Sequence, residues 1–551
     1  MKKLCTLLLL VLAMGIMLAA CNSGGSGTAT TPTPAPPAPV ATPAPDATPE
    51  PAEPEPDVFT YPMAGNRSVT WWEALGGATA ANFTNQGDTP FAQELQAQTG
   101  ITIEFIHPPA GQATEQFNIM MATRSFHDIM VNNWFTAVPG GPERAIEDQV
   151  ILRLNDIFES YAPNLSNFIH NERPDIGNMI RSDEGSYFMF PFIRADSVLQ
   201  THQGAFFRAD WLEELDLPIP ETVQDWEDTL IAFRDYMGAT APWGYQLGAF
   251  RGIDPIALAH GIRLGWYINR DGDVRFGWTE PEYRDYLEIM RRWWDEGLLD
   301  PDFATSNQEH IAARVTDHSM GASFGQGGSR MGVMLSAMLD HPTFDLVGVP
   351  YPVLNRGDRP MHGQFDHAVP GTAAAITTSA SDIEAAARLL DFGYSEAGHM
   401  LHNFGIEGRS FEMINGEPLL TDIMVNHPSL PLDQAFSYYV RSHMSGNFVQ
   451  DPRYLMQFWQ MPQQRAALPV WADTDAVDHT LPPVIFTPDE ASRVAALTSN
   501  INTFVQEMHL RFIFGYESID DFDSYVEQVY AMGLAELRDI QQAAVDRFRA
   551  R

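Results

Sequence analysis

Alternation of apolar and polar positions is clearest in ITIEFI (Ile101–Ile106), as one face of a half-buried strand requires. RSVTWWEAL (Arg67–Leu75) reads as an earlier strand, and FAQELQAQT (Phe91–Thr99) as a short helix closed by Gly100 at its C′ position. Phe117, Met120 and Met121 share one face of a helix over Thr114–Thr123, and HDIMVNNW (His127–Trp134) is a further strand that ends in polar residues. The order β-α-β-α-β with short links predicts a parallel sheet flanked by helices. Ligands of such sheets bind at the carboxyl ends of the strands, near which Trp71, Trp72, Asn132, Asn133 and Trp134 fall.

Further along, Thr222 is an N-cap with Asp225 at N3, close to a capping box, and Trp226, Leu230 and Phe233 follow at i, i+4 and i+7. Ser518 and Asp521 repeat the device ahead of Phe522, Tyr525, Val526 and Val529, and Gly533 separates this helix from a last one. The first sixty residues follow another pattern. Behind Lys2 and Lys3 an apolar run extends from Leu7 to Ala20. It is short of the roughly 20 residues that span a bilayer and has the layout of a secretory signal. Leu18-Ala19-Ala20-Cys21 resembles a bacterial lipobox. The expectation is a signal peptide over 1–20 and lipid attachment at Cys21, durable if the cysteine is diacylated. Residues 21–57 form a tether. Its Thr28–Asp57 part is almost wholly Pro, Thr, Ala and acid, so neither helix nor sheet can form and the chain stays extended.

Composition narrows the function classes. Lys and Arg number 33 against 71 Asp and Glu, a net charge of −38. That argues against nucleic acid as a partner and mildly against polyanions. The 2 cysteines, Cys5 and Cys21, both belong to the leader region, so the remaining chain holds no disulfide and depends on its core. HExxH and P-loop motifs are absent from the sequence. His399 and His402 have i, i+3 spacing but no third ligand nearby. NRDGDVRFGWTE (269–280) places Asn269, Asp271, Asp273 and Glu280 on calcium-loop positions, yet Val274 stands where that loop needs glycine. Asp271-Gly272 reads better as a hairpin turn. No metal and no cofactor are expected. Paired carboxylates keep a surface-tethered glycan hydrolase or lyase as the rival from another class.

Five stretches then match one family in its order: LNDIFESYAPNL (154–165), FFRADWLEELDLPIPETVQDWEDTLIAFRD (206–235), EPEYRDYLEIMRRWWDEGLLDPDFAT (280–305), LLDFGYSEAGHMLHNFGIEGRSFEMINGEPLLTD (389–422) and IFGYESIDDFDSYVEQVYAMGLAELRDI (513–540). Together, behind a lipobox, they resemble the family 1 extracellular solute-binding proteins of carbohydrate ABC importers, of the LipO/LplA lipoprotein type. The resemblance implies a type II periplasmic-binding-protein-like α/β fold. Its two lobes, about 58–193 with 367–428 and about 194–366 with 429–551, would each be a mainly parallel sheet flanked by helices. A ligand would close the cleft between them. It also implies a monomeric, non-catalytic receptor on the outer face of the cell membrane that passes an oligosaccharide to permease subunits. A peptide receptor of the same fold is the nearer alternative.

Sugar sites stack aromatic faces on pyranose C–H surfaces and pair planar polar groups with hydroxyls. Trp72, Trp134, Phe192, Trp243, Trp266 and Phe324 are the candidate platforms, three of them in loop-like contexts: Trp243 in ATAPWGYQ, Trp266 in IRLGWYINR and Phe324 in GASFGQGG. Asn133 and Gln326 are candidate hydroxyl partners. Glu407, between Gly405 and Gly408, is the candidate bidentate carboxylate, and Arg194 could pair a ligand carboxylate or a protein acid. Ordinary packing is the competing account of each aromatic, and it is the preferred one for Trp211, Trp226 and at least one of Trp293 and Trp294.

Overall fold

The computed structural model describes residues 59–247, 252–441 and 446–551. Cys21, the apolar leader and the tether lie outside the described residues. In chain order the strands are β1 (Arg67–Trp72), β2 (Ile101–Ile106), β3 (Ile129–Asn133), β4 (Phe190–Pro191), β5 (Gln203–Arg208), β6 (Trp243–Gly244), β7 (Trp266–Ile268), β8 (Val274–Phe276), β9 (Ala322–Gln326), β10 (Leu346–Gly348), β11 (Thr372–Ile376), β12 (Phe411–Ile414) and β13 (Glu417–Leu420). Two sheets dominate, ordered β2-β1-β3-β11-β4 and β10-β5-β9-β6.

The first sheet is parallel through β2, β1 and β3. Val69 and Trp71 stand level with Ile103 and Phe105, and all four are buried. This is the face that the ITIEFI alternation turns inwards. β11 enters antiparallel beside β3 and carries β4 at the edge. The second sheet is mixed: β5 pairs antiparallel with both β9 and β10, and only β6 runs parallel to β9. The mainly parallel second sheet expected from the resemblance is therefore replaced by a mixed one. β5 is buried along its whole length.

Helices cover the second sheet on named contacts. Thr222 and Asp225 form the expected capping box of the helix Val223–Tyr236. That helix puts Trp226 within 5.0 Å of Phe207 and 5.1 Å of Trp243, ring centre to ring centre. The helix Pro462–Ala472 packs across β5 and β10 through Trp471, whose Nε1–H donates to the Ala205 carbonyl at 3.0 Å. A Cβ at Gly204 would meet this indole at 2.3 Å, so glycine leaves the slot the ring fills. Ser518 caps a short 3-10 turn, Ile519–Asp521, and the α-helix begins only at Phe522. Local hydrogen bonding tightens that first turn, so Asp521 ends as the residue before the helix and not as N3.

Three segments carry the chain between the sheets: 191–203, 348–372 and 447–462. They are bonded to one another. Ile193 N–H donates to Phe448 O at 3.0 Å, Gln450 N–H to Ile193 O at 2.8 Å, and Arg194 N–H to Ala368 O at 2.8 Å.

Three histidines are buried and neutral. Burial pushes His362, His402 and His509 down to about 3 each. His402 Nδ1 lies 2.7 Å from the Gly398 carbonyl, which selects the tautomer with hydrogen on that nitrogen. Each folded value lies below the unfolded one, so the native state binds fewer protons between about pH 3 and 6.5, and stability falls as pH drops through that window. Burial pushes the Asp391 carboxyl up to about 6, which acts in the opposite sense over its own window. Thermal or urea denaturation from pH 7.5 to 4 should therefore show falling stability. In His402→Gln the slope should lose about one proton, or ~1.4 kcal/mol per pH unit. An unchanged slope would mean that His402 titrates normally.

Candidate ligand-binding site

A cavity of about 470 Å³ opens between the two sheets, beside the crossing segments. This is within the roughly 300–1,000 Å³ typical of small-molecule sites. One wall is Ala74, Gly76, Gly77 and Thr79, which follow the carboxyl end of β1. Small side chains there keep the opening wide. The opposite wall is Gln326, Gly328 and Ser329, at and after the carboxyl end of β9. Arg194, Leu199 and His202 come from the first crossing segment, and Arg441, Gln450, Tyr454, Phe458 and Trp459 from the third and the stretch before it. Strand ends supply both walls, as open α/β sheets generally do.

The aromatic wall is fixed by the helix Pro452–Phe458. Asp451 caps it, accepting from Arg453 N–H at 2.8 Å, and also accepts from His399 Nε2 at 3.0 Å. Burial opposes the charge on Asp451, but hydrogen bonds from His399 and Arg453 outweigh it and hold the carboxyl far below the usual carboxylate range. Tyr454 and Phe458 stack, with ring centres 5.6 Å apart. Trp459 follows and lies against the backbone of the GQGG loop. A Cβ at Gly327 would meet its ring carbons at 2.6 Å, and one at Gly328 its Nε1 at 2.9 Å. Glycine in this loop therefore admits an indole of the protein itself.

The polar groups are arranged in pairs. Arg441 forks onto Glu73, with Nη1 to Oε1 at 2.9 Å and Nη2 to Oε2 at 2.8 Å. Arg194 Nη1 donates to Asp366 Oδ2 at 2.8 Å, and its guanidinium carbon lies 5.6 Å from the centre of the Phe192 ring. Gln326 Oε1 accepts from Ser329 Oγ at 2.6 Å.

The sequence candidates separate in space. Gln326 and Arg194 line the cavity. Trp72, Trp134, Phe192, Trp243 and Phe324 are buried in packing. Trp72 and Trp134 both pack on Phe117, Phe192 on Phe448, Trp243 on Trp226 and Phe324 near Tyr351. Trp266 is half-buried against Phe276, ring centres 4.7 Å apart. Asn133 caps its own turn, its Oδ1 accepting from Phe135 N–H at 3.2 Å. Glu407 sits exposed in a turn held by Ser410, whose Oγ accepts from Ile406 N–H at 2.6 Å, and it does not line the cavity. Sequence reasoning missed Trp459, Phe458, Tyr454 and Arg441. The aromatic pair FW at a helix end just before Pro462 was the available signal.

The stretch 269–280 folds as the β7–β8 hairpin, with Asn269 Oδ1 accepting from Asp271 and Asp273 N–H. Asp300, Asp302 and His310 come close enough to share a cation. Arg314 is bonded to the same group, with Nη2 at 2.9 Å from Asp302 and Nε at 3.5 Å from Asp300.

Two single-glycine variants test the packing of the wall. Gly327→Ala should destabilise by about 1–3 kcal/mol through overpacking and shift tryptophan emission. Gly265→Ala, where a Cβ meets open space, should change neither readout appreciably. Equal effects would show that Trp459 is free to move aside.

No family model matches the chain. Lipoprotein LipO of Bacillus subtilis is 24% identical over 363 residues, covering 62% of this chain and 67% of LipO. The fructooligosaccharide ABC transporter substrate-binding protein FusA of Streptococcus pneumoniae is 20% identical over 525 residues, 89% of this chain and 92% of FusA. The structure of FusA with kestose superposes with a TM-score of 0.69 at 18% identity, covering 88% of this chain and 100% of that one. The alginate-binding protein AlgQ2 gives 0.71 at 20% identity, covering 88% and 99%. On sequence the chain is thus a relative of LipO and of an ABC-importer substrate-binding protein, and it has the two-lobed α/β fold of the extracellular solute-binding proteins.

Proposed function

We propose that this chain is the substrate-binding receptor of a carbohydrate ABC importer: it captures an oligosaccharide between its lobes and presents it to permease subunits without chemical change. The observation that carries the reading is the cavity whose two walls come from the strand ends of different sheets. A molecule touching both walls favours the closed arrangement, which is the coupling a delivery protein needs. The amides of Gln326 and Gln450, the Ser329 hydroxyl and the rings of Phe458 and Trp459 suit a polyhydroxylated ligand with apolar faces. FusA, similar along most of the chain, is named for fructooligosaccharide.

The lobes in this reading are about 58–193 with 367–428 and 194–366 with 429–551; two of their boundaries fall in the crossings 191–203 and 348–372, and the last lies ahead of the crossing 447–462. Lipidation at Cys21 would hold the receptor on the outer face of the cell membrane, with the Pro-rich tether as spacer and a monomer as the working unit. A peptide ligand is the nearer alternative.

A thermal-shift screen of residues 58–551 against oligosaccharides and peptides tests the ligand class, with chromatography of each ligand after incubation. A ligand at 100 times its Kd should add about 2.7 kcal/mol. A saccharide that stabilises and is recovered intact is the expected outcome. Cleavage would make the protein an enzyme, and stabilisation by peptides alone would replace the ligand class. For the anchor, Cys21→Ser should move the protein from the membrane fraction to the medium, and retention of the variant on membranes would remove Cys21 from that role.

A further inference from the structure

The fold accommodates neighbours named for both uncharged and acidic sugars, kestose and alginate. Charge matching within this cleft decides between them. The cavity-lining cations are Arg194 and Arg441, and both already face carboxylates: Asp366 at 2.8 Å and Glu73 at 2.8 and 2.9 Å. Glu73 is only 3% exposed, so its charge is sequestered with Arg441. His202 also turns towards Asp366, with Nδ1 at 4.0 Å from Oδ2. Asp433 belongs to the lining itself, whereas Glu73 and Asp366 stand behind the two arginines. Each lining guanidinium is thus matched by its own carboxylate, and Asp433 adds a negative charge to the wall. The whole chain carries −38, so its long-range field also repels anions.

We propose that Glu73 and Asp366 are specificity-determining residues: by neutralising Arg441 and Arg194 they make the cleft selective for uncharged saccharides and against uronic ones. The inference rests on the receptor reading above and deepens it. Each arginine has five N–H donors in a planar fork. A carboxylate takes one or two and fixes the plane, and on Arg194 the donors that Asp366 does not take can serve sugar hydroxyls. A uronate entering the cleft adds a negative charge near Asp433, beside two arginines whose charges Glu73 and Asp366 already match. Like charges brought together at an interface are strongly disfavoured.

The test is calorimetry on the whole domain with two panels of matched length. One panel is uncharged (fructo-, xylo- and manno-oligosaccharides) and the other uronic (alginate and galacturonate oligosaccharides). Wild type should bind an uncharged ligand at least about tenfold more tightly than any uronic one. Its affinity should change less than about twofold between about 0.05 and 0.5 M salt. Glu73→Gln and Asp366→Asn keep the side-chain shapes and each expose one cation. Either should raise uronic affinity by about tenfold, an effect that salt then weakens. Melting curves confirm that each variant is folded, and the two variants act at separate arginines, so loss of one to misfolding leaves the other. Uronic preference in wild type, or an unchanged ratio in both folded variants, would overturn the proposal while leaving the receptor reading intact. Failure of every saccharide to bind wild type would overturn the receptor reading and this inference with it.

Discussion

The backbone pairing at Ile193 is the constraint on which the cleft depends. Ile193 donates to Phe448 and accepts from Gln450, and Arg194 donates to Ala368. These bonds tie all three inter-sheet segments at one point. Unpaired backbone groups buried there would be costly, so the crossings must stay bonded whatever the angle between the sheets. Asn447 strengthens the knot by donating to Leu390 O at 2.6 Å. Gly393 lets the backbone of Asn447 approach to a distance a Cβ would forbid, 1.8 Å from the carbonyl oxygen. From this fixed point Arg194 and Gln450 emerge directly into the cavity.

Side-chain packing then converts a crossing into a site. The helix Pro452–Phe458 lies within the third crossing just after Gln450, and its N-cap Asp451 is held by its N–H donating to Asn403 Oδ1 at 2.9 Å. His399 reaches that cap from the helix Glu396–Asn403, which explains the histidine pair without metal. His402 on the same helix is buried beside Phe448, ring centres 4.9 Å apart. The pair that had ligand-like spacing therefore performs two structural tasks, one polar and one apolar. Trp459 ends the chain of dependence by resting on glycines of the opposite wall.

Much of the scaffold was legible because local rules and tertiary burial agree there. The strands at 67–72, 101–106 and 129–133 combine alternation or continuous burial with clear helix signals between them. Thr222 and Asp225 specify a cap by chemistry within four residues. The site was less legible for a physical reason. Trp243 and Phe324 stand among glycines and prolines, which mimics a ligand loop in one dimension. Both lie in short strands of the second sheet and point into its core. Loop-like composition marks where the backbone turns, not where the side chain faces. Arg441 and Glu73 are 368 residues apart, so their pairing has no local signature at all. Gln326, expected in a Gly-rich loop, is instead the exposed last residue of the otherwise buried β9, and it lines the cavity for that reason.

In the receptor reading proposed above, closure would follow from how these parts are divided. A ligand shifts a two-state equilibrium only through affinity that differs between the states. Contacts from the Ala74–Thr79 wall alone, or from the Gln326–Ser329 wall alone, would bind equally well open or closed and move nothing. Arg194 belongs to a crossing segment bonded to a second one at Ala368, so in that reading its contacts would be common to both states. The walls provide the difference. In the same reading, the Arg194–Asp366 pair at the crossings would serve retention, and Gln326 and Ser329 on one wall would serve closure.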